Sequence, residues 1–230
     1  MKNNKVSIIM GVFNNELDVK NAIESIINQS YNNFEFLICD DSSEDNSYII
    51  CKEMSKIDNR IKLYKNNKNI GLTKTLNFLI SKAEGSIIAR QDADDLSHHS
   101  RLEKQIPYLD KYDAVVCRSN SIQDNTIKPK VSHLIPYKLI INFKNPFVHG
   151  SLVINKLSLN KIQNYKEDFY YAQDFKLFSE LIYKKNKIKY LKSPLYFHNT
   201  KNNISSKHLD EQNYFASKIK TENRKKFFKF

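Results

Sequence analysis

A short run of acids follows an apolar segment in the stretch IIARQDADDLS, residues 87–97. Asp92, Asp94 and Asp95 crowd three carboxylates into four positions, where ionised groups repel one another unless solvent or a cation offsets them. Asp92 and Asp94 flank Ala93, so both can reach the same ion directly or through water. Mg²⁺ and Mn²⁺ prefer oxygen ligands and commonly take one or two carboxylates together with substrate phosphates. The spacing therefore predicts a divalent-cation site for a phosphate-bearing substrate, with a solvated acidic turn as the alternative.

The elements that must position these acids alternate between strand and helix patterns. Strands are predicted over residues 5–10, 34–39, 61–66 and 86–90, and helices over residues 16–30, 43–57 and 71–83. This alternation predicts an α/β fold with a mostly parallel central sheet and helices on both faces. Ligands of such sheets bind at the carboxyl ends of the strands. Asn14, Asp40 and Asp41 also follow strands, so their loops should converge with the acidic run on one crevice.

The first predicted helix has a broad apolar face. This face would point toward the sheet and consists of Leu17, Ile23, Ile26 and Ile27. Asn14 or Asn15 would be its N-cap, because asparagine accepts hydrogen bonds from the first free N–H groups of a helix.

The pattern is less regular after about residue 115. A strand is predicted over residues 114–119, a short helix over 136–143, a strand entered through a loop over 147–156, and an amphipathic helix over 171–186. No internal repeat or low-complexity linker separates two domains. We therefore expect one domain over residues 1–206, with a change of character near residue 115, followed by a basic helical tail over residues 207–230.

Composition and charge restrict the class of protein. The chain has 230 residues, 40% hydrophobic and 27% charged, which indicates a globular protein. No apolar run approaches the ~20 residues that span a bilayer, and the N-terminus lacks signal-peptide features, so we expect a cytoplasmic protein. Three scattered cysteines are too few for a disulfide framework. The net charge of +12 favours a polyanionic partner, which leaves nucleic acid, nucleotide phosphates and an anionic membrane open.

Glycine-based phosphate loops are excluded. The chain has four glycines, and they form neither the G-x-G-x-x-G pattern nor a P-loop. A sheet that binds phosphates without such a loop has to neutralise them in another way, and a cation held by carboxylates does so.

Several motifs in order resemble family 2 glycosyltransferases, which have the GT-A fold. The resemblance covers about residues 5–205 and rests on VSIIMGVFNN (6–15), SIINQSYNNFEFLICDDSSEDNS (25–47), NKNIGLTKTLNFLISKAEGSIIARQDADD (67–95), NPFVHGSLVINK (145–156) and YYAQDFKLFSEL (170–181). It implies an inverting, metal-dependent transfer of a sugar from a nucleotide-sugar, with a UDP-sugar as the expected donor, to a hydroxyl of a glycan acceptor in surface-glycan biosynthesis such as capsule or lipopolysaccharide. Residues 1–115 would bind the nucleotide-sugar, and residues 116–206 would face the acceptor.

The resemblance also implies roles for individual residues. Asp94, together with Asp92, would hold Mn²⁺ or Mg²⁺, and Asp174 would be the general base. Asp174 could instead only begin a helix, whose dipole an acid also complements. The residues expected to bind the nucleotide-sugar are Val12, Asn14, Asp40, Asp41, Asn69, Arg90, Asp92 and Ala93.

Alternatives remain open for some of these donor-side residues. Asp41 would contact the uracil or ribose while Asp40 supports the turn, but both acids could instead cap the helix that follows them. Arg90 would either bind the donor or only balance the acidic loop.

The resemblance also bears on two histidines and one glycine. His149 would line the acceptor cleft. His198 stands where relatives usually carry an arginine near the diphosphate, so it would bind phosphate or metal unless it is structural. Gly11 stands where many relatives have proline, which should make that loop more flexible.

The tail is strongly basic. Between residues 218 and 229 only Glu222 opposes its six cations: Lys218, Lys220, Arg224, Lys225, Lys226 and Lys229. Together with Phe227, Phe228 and Phe230, these cations suit an anionic bilayer surface, which would hold the enzyme at the inner face of the cell membrane near a lipid-linked glycan acceptor. The alternative is a solvated helix packed on the domain.

The sequence lacks the motifs that two other classes of protein would require. A nucleotidyltransferase would need a glycine-rich basic loop after the first strand, and MGVFNNELD is not one. A nucleic-acid-binding protein is favoured by net charge alone, and acids crowd the expected cleft, so we expect no nucleic acid partner. An inactive transferase is the third alternative.

Overall fold

Strands and helices alternate through the parts of the chain that the computed structural model describes, residues 4–129, 135–200 and 208–227. The strands are β1 Val6–Val12, β2 Phe34–Asp40, β3 Ile61–Lys65, β4 Ile87–Arg90, β5 Leu96–Ser97, β6 Ala114–Ser121, β7 Ile127–Lys128, β8 Val153–Asn155 and β9 Ile188–His198. The helices are α1 Val19–Ile27, α2 Ser47–Ile57, α3 Leu72–Lys82, α4 Arg101–Gln105, α5 Tyr137–Ile140, α6 Lys156–Lys161, α7 Gln173–Tyr183 and α8 Leu209–Phe227. Short 3-10 turns cover Ile106–Asp110 and His149–Ser151.

The first half of the sheet is parallel. Its strand order is β3-β2-β1-β4, and Val12 at the end of β1 pairs with Asp40 at the end of β2. All seven residues of β2 are buried. Helices cover both faces of these strands, which explains why they read as continuous apolar runs and not as alternating ones. The predicted α/β fold is confirmed, and the polar ends of β1, β2 and β4 lie on one edge.

Antiparallel strands extend the sheet in the second half. β8 pairs antiparallel with β4 and with β6, and β9 then pairs parallel with β6. β5, which directly follows the acidic run, pairs antiparallel with the end of β9 through Leu96 and Phe197. This pairing brings the acidic turn next to the residues that follow β9, although they are about one hundred positions away in the sequence.

Hydrophobic residues fill two layers, one on each face of the sheet. One layer joins Leu76 of α3 and Phe178 of α7 to the sheet and also contains Ile219 of α8. The other layer joins Ile23 of α1 and Met54 of α2 to the opposite face. The helices on both faces that the strand–helix alternation predicts are therefore present.

Several predicted element boundaries are wrong. α1 begins at Val19, with Asp18 and not an asparagine at the N-cap position. Leu17, expected to face inward, is 84% exposed because it lies in the turn before the helix. α2 begins at Ser47 and not at residue 43, since the Asp45 carboxylate accepts a hydrogen bond from the Ser47 N–H at 2.9 Å. The strand predicted over residues 147–156 is a 3-10 turn followed by the short β8.

The tail is a helix that packs on the domain. Ile219 and Asn223 of α8 are fully buried, and Asn223 donates a hydrogen bond to the Ile141 carbonyl at 2.8 Å. Lys176 of α7 pairs with Glu222 at 2.5 Å. The domain boundary at residues 206–207 and the aromatic end Phe228–Phe230 lie outside the described residues. Within the described ranges, the hydropathy of every helix is too low, or its length too short, for it to cross a bilayer.

Candidate active site

The loops after β1 and β2 are joined by hydrogen bonds. Asn14 has a left-handed backbone with φ 48°, and its N–H donates to the Ser43 hydroxyl at 3.0 Å. The Asn14 side-chain carbonyl accepts from the Glu44 N–H at 2.9 Å. The buried Val12 carbonyl accepts from the Asp41 N–H at 2.7 Å. Val12 and Asn14 therefore hold the two loops in one arrangement at the carboxyl edge of the sheet.

Asp41 binds the loop that leads into α3. One of its carboxylate oxygens accepts from Asn66 Nδ2 at 2.7 Å and from the Ile70 N–H at 3.0 Å. The other accepts from the Gly71 N–H at 2.8 Å, at the start of α3. Asn69 also accepts from the Gly71 N–H, at 3.1 Å. Asp41 therefore does not cap α2, and its contacts with the loop before α3 use three of the about four acceptor positions of its carboxylate.

Asp40 lies beside Asp41 at the end of β2. One of its oxygens accepts from the Ser43 N–H at 3.1 Å, which supports the turn. The other oxygen is buried without a hydrogen-bond partner. An unsatisfied buried acceptor is unfavourable, so the Asp40 carboxylate keeps one unused acceptor below the turn.

Arg90 is buried under the acidic turn. It is 2% exposed, and its Nη1 donates to the Ile9 carbonyl at 3.1 Å and to the Gln91 carbonyl. Its Nη2 donates to Asp92 Oδ1, with which it forms an ion pair. These contacts match the balancing role that was one of the two alternatives for Arg90. Ala93 is buried at 6% exposure and packs against the apolar layer below the turn.

Asp94 is a carboxyl without a dedicated cation. Its pKa is raised to about 6, first by burial and then by the nearby charges of Asp92 and Asp18, against the opposing effect of Arg90. Asp18 was missed in the sequence, although an acid directly before α1 and close behind β1 lies where ligands of such sheets bind. The ionised form of Asp94 is therefore disfavoured, first by burial and then by its acidic neighbours.

Asp95 has a structural contact. It is 7% exposed, and one of its oxygens accepts from the Asn199 N–H at 2.7 Å. Burial, followed by repulsion from Asp92 and Asp94, raises its pKa well above the usual range. Asp95 thus joins the acidic turn to the chain just after β9.

The residues fit a divalent cation of the magnesium type. Within residues 4–129, 135–200 and 208–227, no three His, Cys, Asp or Glu side chains are gathered to enclose a metal. Mg²⁺ and Mn²⁺ do not require such a cage, since they bind through one or two carboxylates plus substrate phosphates and water. Asp94, whose ionised form is disfavoured by neighbouring acids, and Asp92 on the same turn match that donor set.

Gly150 lies where the second half of the chain packs against the acidic turn, and its lack of a side chain leaves space for Tyr196 and Asp92. A Cβ at Gly150 would overlap the Tyr196 phenol and approach Asp92 Oδ2 to 2.7 Å. The Asp92 N–H donates to the Tyr196 hydroxyl at 3.1 Å. Tyr196 therefore acts as a rigid support below Asp92, and only a residue without a side chain fits against both.

His149 lies close to both the acidic turn and the start of α7. A hydrogen bond of 2.7 Å joins His149 Nε2 to the Tyr165 hydroxyl. Burial lowers the pKa of His149, and Arg90 lowers it further, while Asp92 and Asp174 oppose the shift. His149 is therefore neutral at physiological pH, and its charged neighbours come from both the acidic turn and α7.

Asp174 is held at the start of α7 by an asparagine. Asn145 Nδ2 donates to Asp174 Oδ2 at 2.7 Å, and Asn145 Oδ1 accepts from the Phe147 N–H at 3.1 Å. Ala172, the N-cap of α7, has a left-handed backbone with φ 55°, a conformation that a residue with a Cβ adopts at a cost. Asn145 was missed in the sequence, since nothing local links it to an acid 29 positions later.

His198 lies apart from the acids of the turn. Both of its ring nitrogens are buried without a hydrogen-bond partner. Burial lowers its pKa, and Lys128 lowers it further while Asp124 opposes the shift. Its charged neighbours thus belong to the β6–β7 hairpin and not to the pair Asp92 and Asp94.

Comparison with known proteins identifies relatives of the whole domain. The model of glycosyl transferase family 2 matches residues 7–185. An uncharacterized glycosyltransferase of Haemophilus influenzae is 32% identical over 236 residues, which cover 95% of this chain and 72% of that protein. The UDP-Glc:alpha-D-GlcNAc-diphosphoundecaprenol beta-1,3-glucosyltransferase WfgD of Escherichia coli is 34% identical over 173 residues, which cover 72% of this chain and 67% of WfgD.

Two solved structures have a similar fold. TarS 1–349 of S. aureus in complex with UDP has a TM-score of 0.72 at 18% identity, over 95% of this chain and 65% of TarS 1–349. The mannosyltransferase PcManGT of Pyrobaculum calidifontis in complex with GDP-Man and Mn²⁺ has a TM-score of 0.74 at 16% identity, over 94% of this chain and 64% of that protein. The chain thus spans about two thirds of the length of both proteins. The predicted resemblance is confirmed: the chain belongs to glycosyl transferase family 2 and has the GT-A fold.

Proposed function

We propose that this glycosyltransferase moves a sugar from a UDP-sugar to a hydroxyl of a glycan acceptor, with inversion at the anomeric carbon and with help from Mn²⁺ or Mg²⁺. One observation carries the proposal. Asp94 is a largely buried carboxyl whose ionised form is disfavoured, its neighbour Asp92 and Asp174 both lie within electrostatic range of His149 and Tyr165, and Asn145 holds the Asp174 carboxylate. A cation site on the acidic turn and a base positioned at the start of α7, with His149 close to both, are the two parts that this transfer requires.

The crevice between β1 and β2 would bind the nucleotide. Asp41 keeps about one free acceptor position after three hydrogen bonds, which suits a single N–H donor such as the imide of uracil. Val12 and Asn14 would shape the pocket through the backbone, and Asp40 and Asn69 would support it. The UDP complex of TarS and the UDP-Glc in the name of WfgD support a uridine nucleotide over a guanosine one.

Asp94, assisted by Asp92, would hold the cation. A divalent ion bound there would neutralise charge on the departing diphosphate. Arg90 contributes from below by fixing one oxygen of Asp92, which leaves the other oxygen directed away from the guanidinium. The GDP-Man and Mn²⁺ complex of PcManGT supports a metal in this fold.

Asp174 would accept the proton of the acceptor hydroxyl. Asn145 fixes one carboxylate oxygen by hydrogen bonding, so the second oxygen is free to reach the hydroxyl. That hydroxyl attacks the anomeric carbon as the bond to the diphosphate oxygen breaks on the opposite face, and this single displacement inverts the configuration. The neutral His149 beside Asp174 would line the acceptor cleft without competing for the proton.

The acceptor would be a surface glycan, free or lipid-linked, and the enzyme would act in the cytoplasm. The diphosphoundecaprenol acceptor in the name of WfgD supports a lipid-linked glycan. Cys39, Cys51 and Cys117 are free thiols, which suits a reducing compartment.

Turnover measurements test the proposal. We would offer UDP- and GDP-sugars with GlcNAc-bearing acceptors, including a GlcNAc-diphospho-lipid, and follow nucleoside diphosphate release and the anomeric configuration of the product. Asp174→Asn should lower turnover by roughly 10²- to 10⁴-fold. The matched variant Asp168→Asn, an exposed acid just before α7, should not. Equal activity of both variants, or a product of retained configuration, would contradict the assignment of Asp174.

A further inference from the structure

A surface made by the α5 turn and the end of α8 combines exposed apolar and basic side chains. Its apolar members are Ile135 (44% exposed), Leu139 (45%) and Phe143 (63%). Its basic members, all exposed, are Lys138, Lys144, Arg224 and Lys225. We call this set the α5–α8 surface. The Arg224 guanidinium lies 5.9 Å from the centre of the Phe143 ring, so the two segments form one continuous patch.

Acids are absent from the sequence of this patch. Residues 135–145 contain no Asp or Glu, and Glu222 is the one acid between residues 212 and 227. Glu222 accepts a hydrogen bond from Lys176 of α7 at 2.5 Å, so its charge is balanced on the inner side of α8. The outer side of α8 therefore presents Arg224 and Lys225 without a neighbouring carboxylate from its own helix.

We propose that the α5–α8 surface binds an anionic lipid bilayer. Basic side chains attract anionic headgroups, while adjacent large apolar side chains enter the boundary between headgroups and acyl chains. A second copy of this chain is disfavoured as the binding partner, because the four cations of one surface would lie against the same four cations of the other and repel them. A soluble polyanion would satisfy the cations but would leave Phe143 and Leu139 exposed to water.

The α5–α8 surface lies close in the chain to a residue that positions the proposed base. Asn145, which donates to Asp174, follows Phe143 by only two residues. A bilayer that receives Phe143 would therefore lie next to the acceptor side of the cleft, where the head of a lipid-linked glycan could reach Asp174. This role rests on the proposed function, whereas bilayer binding itself is independent of the enzyme's activity.

Vesicle co-sedimentation of the full chain tests the proposal. The vesicles would contain phosphatidylcholine alone or with about 30% phosphatidylglycerol, in about 0.1 M salt. The wild type should bind the anionic vesicles. Arg224→Glu/Lys225→Glu should weaken binding at least about tenfold, since each basic residue near the surface contributes on the order of 1 kcal/mol. Phe143→Ser should also weaken it severalfold.

Matched variants on α2, which covers the other face of the sheet, serve as controls. They distinguish binding at the α5–α8 surface from the general attraction of anionic vesicles to a protein with a net charge of +12. Lys52→Glu/Lys56→Glu on α2 makes the same charge change, and Ile57→Ser removes another apolar side chain, which is 72% exposed. Both should bind vesicles like the wild type.

Three results would overturn the proposal. They are no binding of the wild type to anionic vesicles, equal losses in the α2 variants, and a wild-type dimer in light scattering that Phe143→Ser converts to a monomer. UDP binding, measured on every variant, distinguishes the two proposals. If the wild type binds vesicles but not UDP, only the donor assignment fails.

Discussion

Replacing Asp94 by asparagine should stabilise the metal-free protein. Burial and the charges of Asp92 and Asp18 raise the pKa of Asp94 from 3.8 to about 6. Each pKa unit corresponds to roughly 1.4 kcal/mol, so keeping Asp94 ionised in the folded protein at pH 7.5 costs about 3 kcal/mol. Asp94→Asn removes that charge with little change in shape. For a chain of this size, the gain corresponds to roughly 6–12 °C in melting temperature.

The sign of the pH dependence follows from the direction of the shift. A carboxyl with a raised pKa binds its proton more tightly in the folded state than in the unfolded one. The penalty is therefore fully present above pH 6 and disappears as the pH falls toward 3.8. The advantage of Asp94→Asn over the wild type should shrink to about 1 kcal/mol at pH 4.5.

Thermal and urea unfolding in EDTA at pH 7.5 and pH 4.5 would measure both effects. Asp168→Asn, which removes an exposed acid, is the control and should leave the unfolding free energy within about 0.5 kcal/mol of the wild type. If Asp94→Asn is no more stable than the wild type at pH 7.5, or if its advantage does not depend on pH, then Asp94 is not a carboxylate short of a cation.

Substitutions at three further positions test the contacts around the site. Gly150→Ala should lower the unfolding free energy by about 1–3 kcal/mol and impair turnover, since its Cβ would overlap the Tyr196 phenol; wild-type activity would refute the support role. Asn145→Asp should lower kcat more than Asn145→Ala in steady-state kinetics, because it sets a second carboxylate against Asp174 in place of the amide donor, and a wild-type kcat in both variants would contradict the positioning of Asp174 by Asn145. Asp41→Ala should cost about 1–3 kcal/mol in urea unfolding, since it leaves the Ile70 and Gly71 N–H groups without their acceptor, and should weaken UDP binding; unchanged stability would contradict this anchoring of the loop before α3.

The strand ends and the acidic turn could be predicted because their signals are local. An apolar run that stops at an acid is visible in a few residues, as for Ile87–Arg90 before Asp92. The sheet then brings the ends of β1, β2 and β4 to one edge by the general rule for parallel strands. Asp92 and Asp94 could be found this way without knowledge of any distant contact.

Other features depend on contacts between distant segments. The Asp41 carboxylate binds N–H groups 29 and 30 positions later, at the start of α3, although α2 follows it more closely. Tyr196 has the pattern of a core residue in a strand, and the pairing of β9 with both β5 and β6 brings its hydroxyl to the Asp92 N–H. Such partners carry no periodicity, so a single sequence gives no signal for them.

Leu17 shows how a local pattern can mislead. Its spacing continues the apolar face of α1, but the Asp45 carboxylate of the neighbouring loop accepts from the Glu16 N–H at 3.0 Å. The Asn15 carbonyl also accepts from the N–H of Val19, so residues 16–18 form a turn and α1 begins later. A tertiary contact therefore overrides helical spacing at this end, and Leu17 remains in solvent.

Calorimetric titration of UDP tests the central claim most directly. UDP would be added to the wild type, Asp94→Asn and Asp168→Asn, each with Mn²⁺ and then with EDTA. We predict that the wild type and Asp168→Asn bind UDP only in the presence of Mn²⁺. Asp94→Asn should bind UDP at least tenfold more weakly under the same conditions. Equally tight binding of UDP by Asp94→Asn, or wild-type binding that is unchanged in EDTA, would contradict a cation held by Asp94 at the diphosphate.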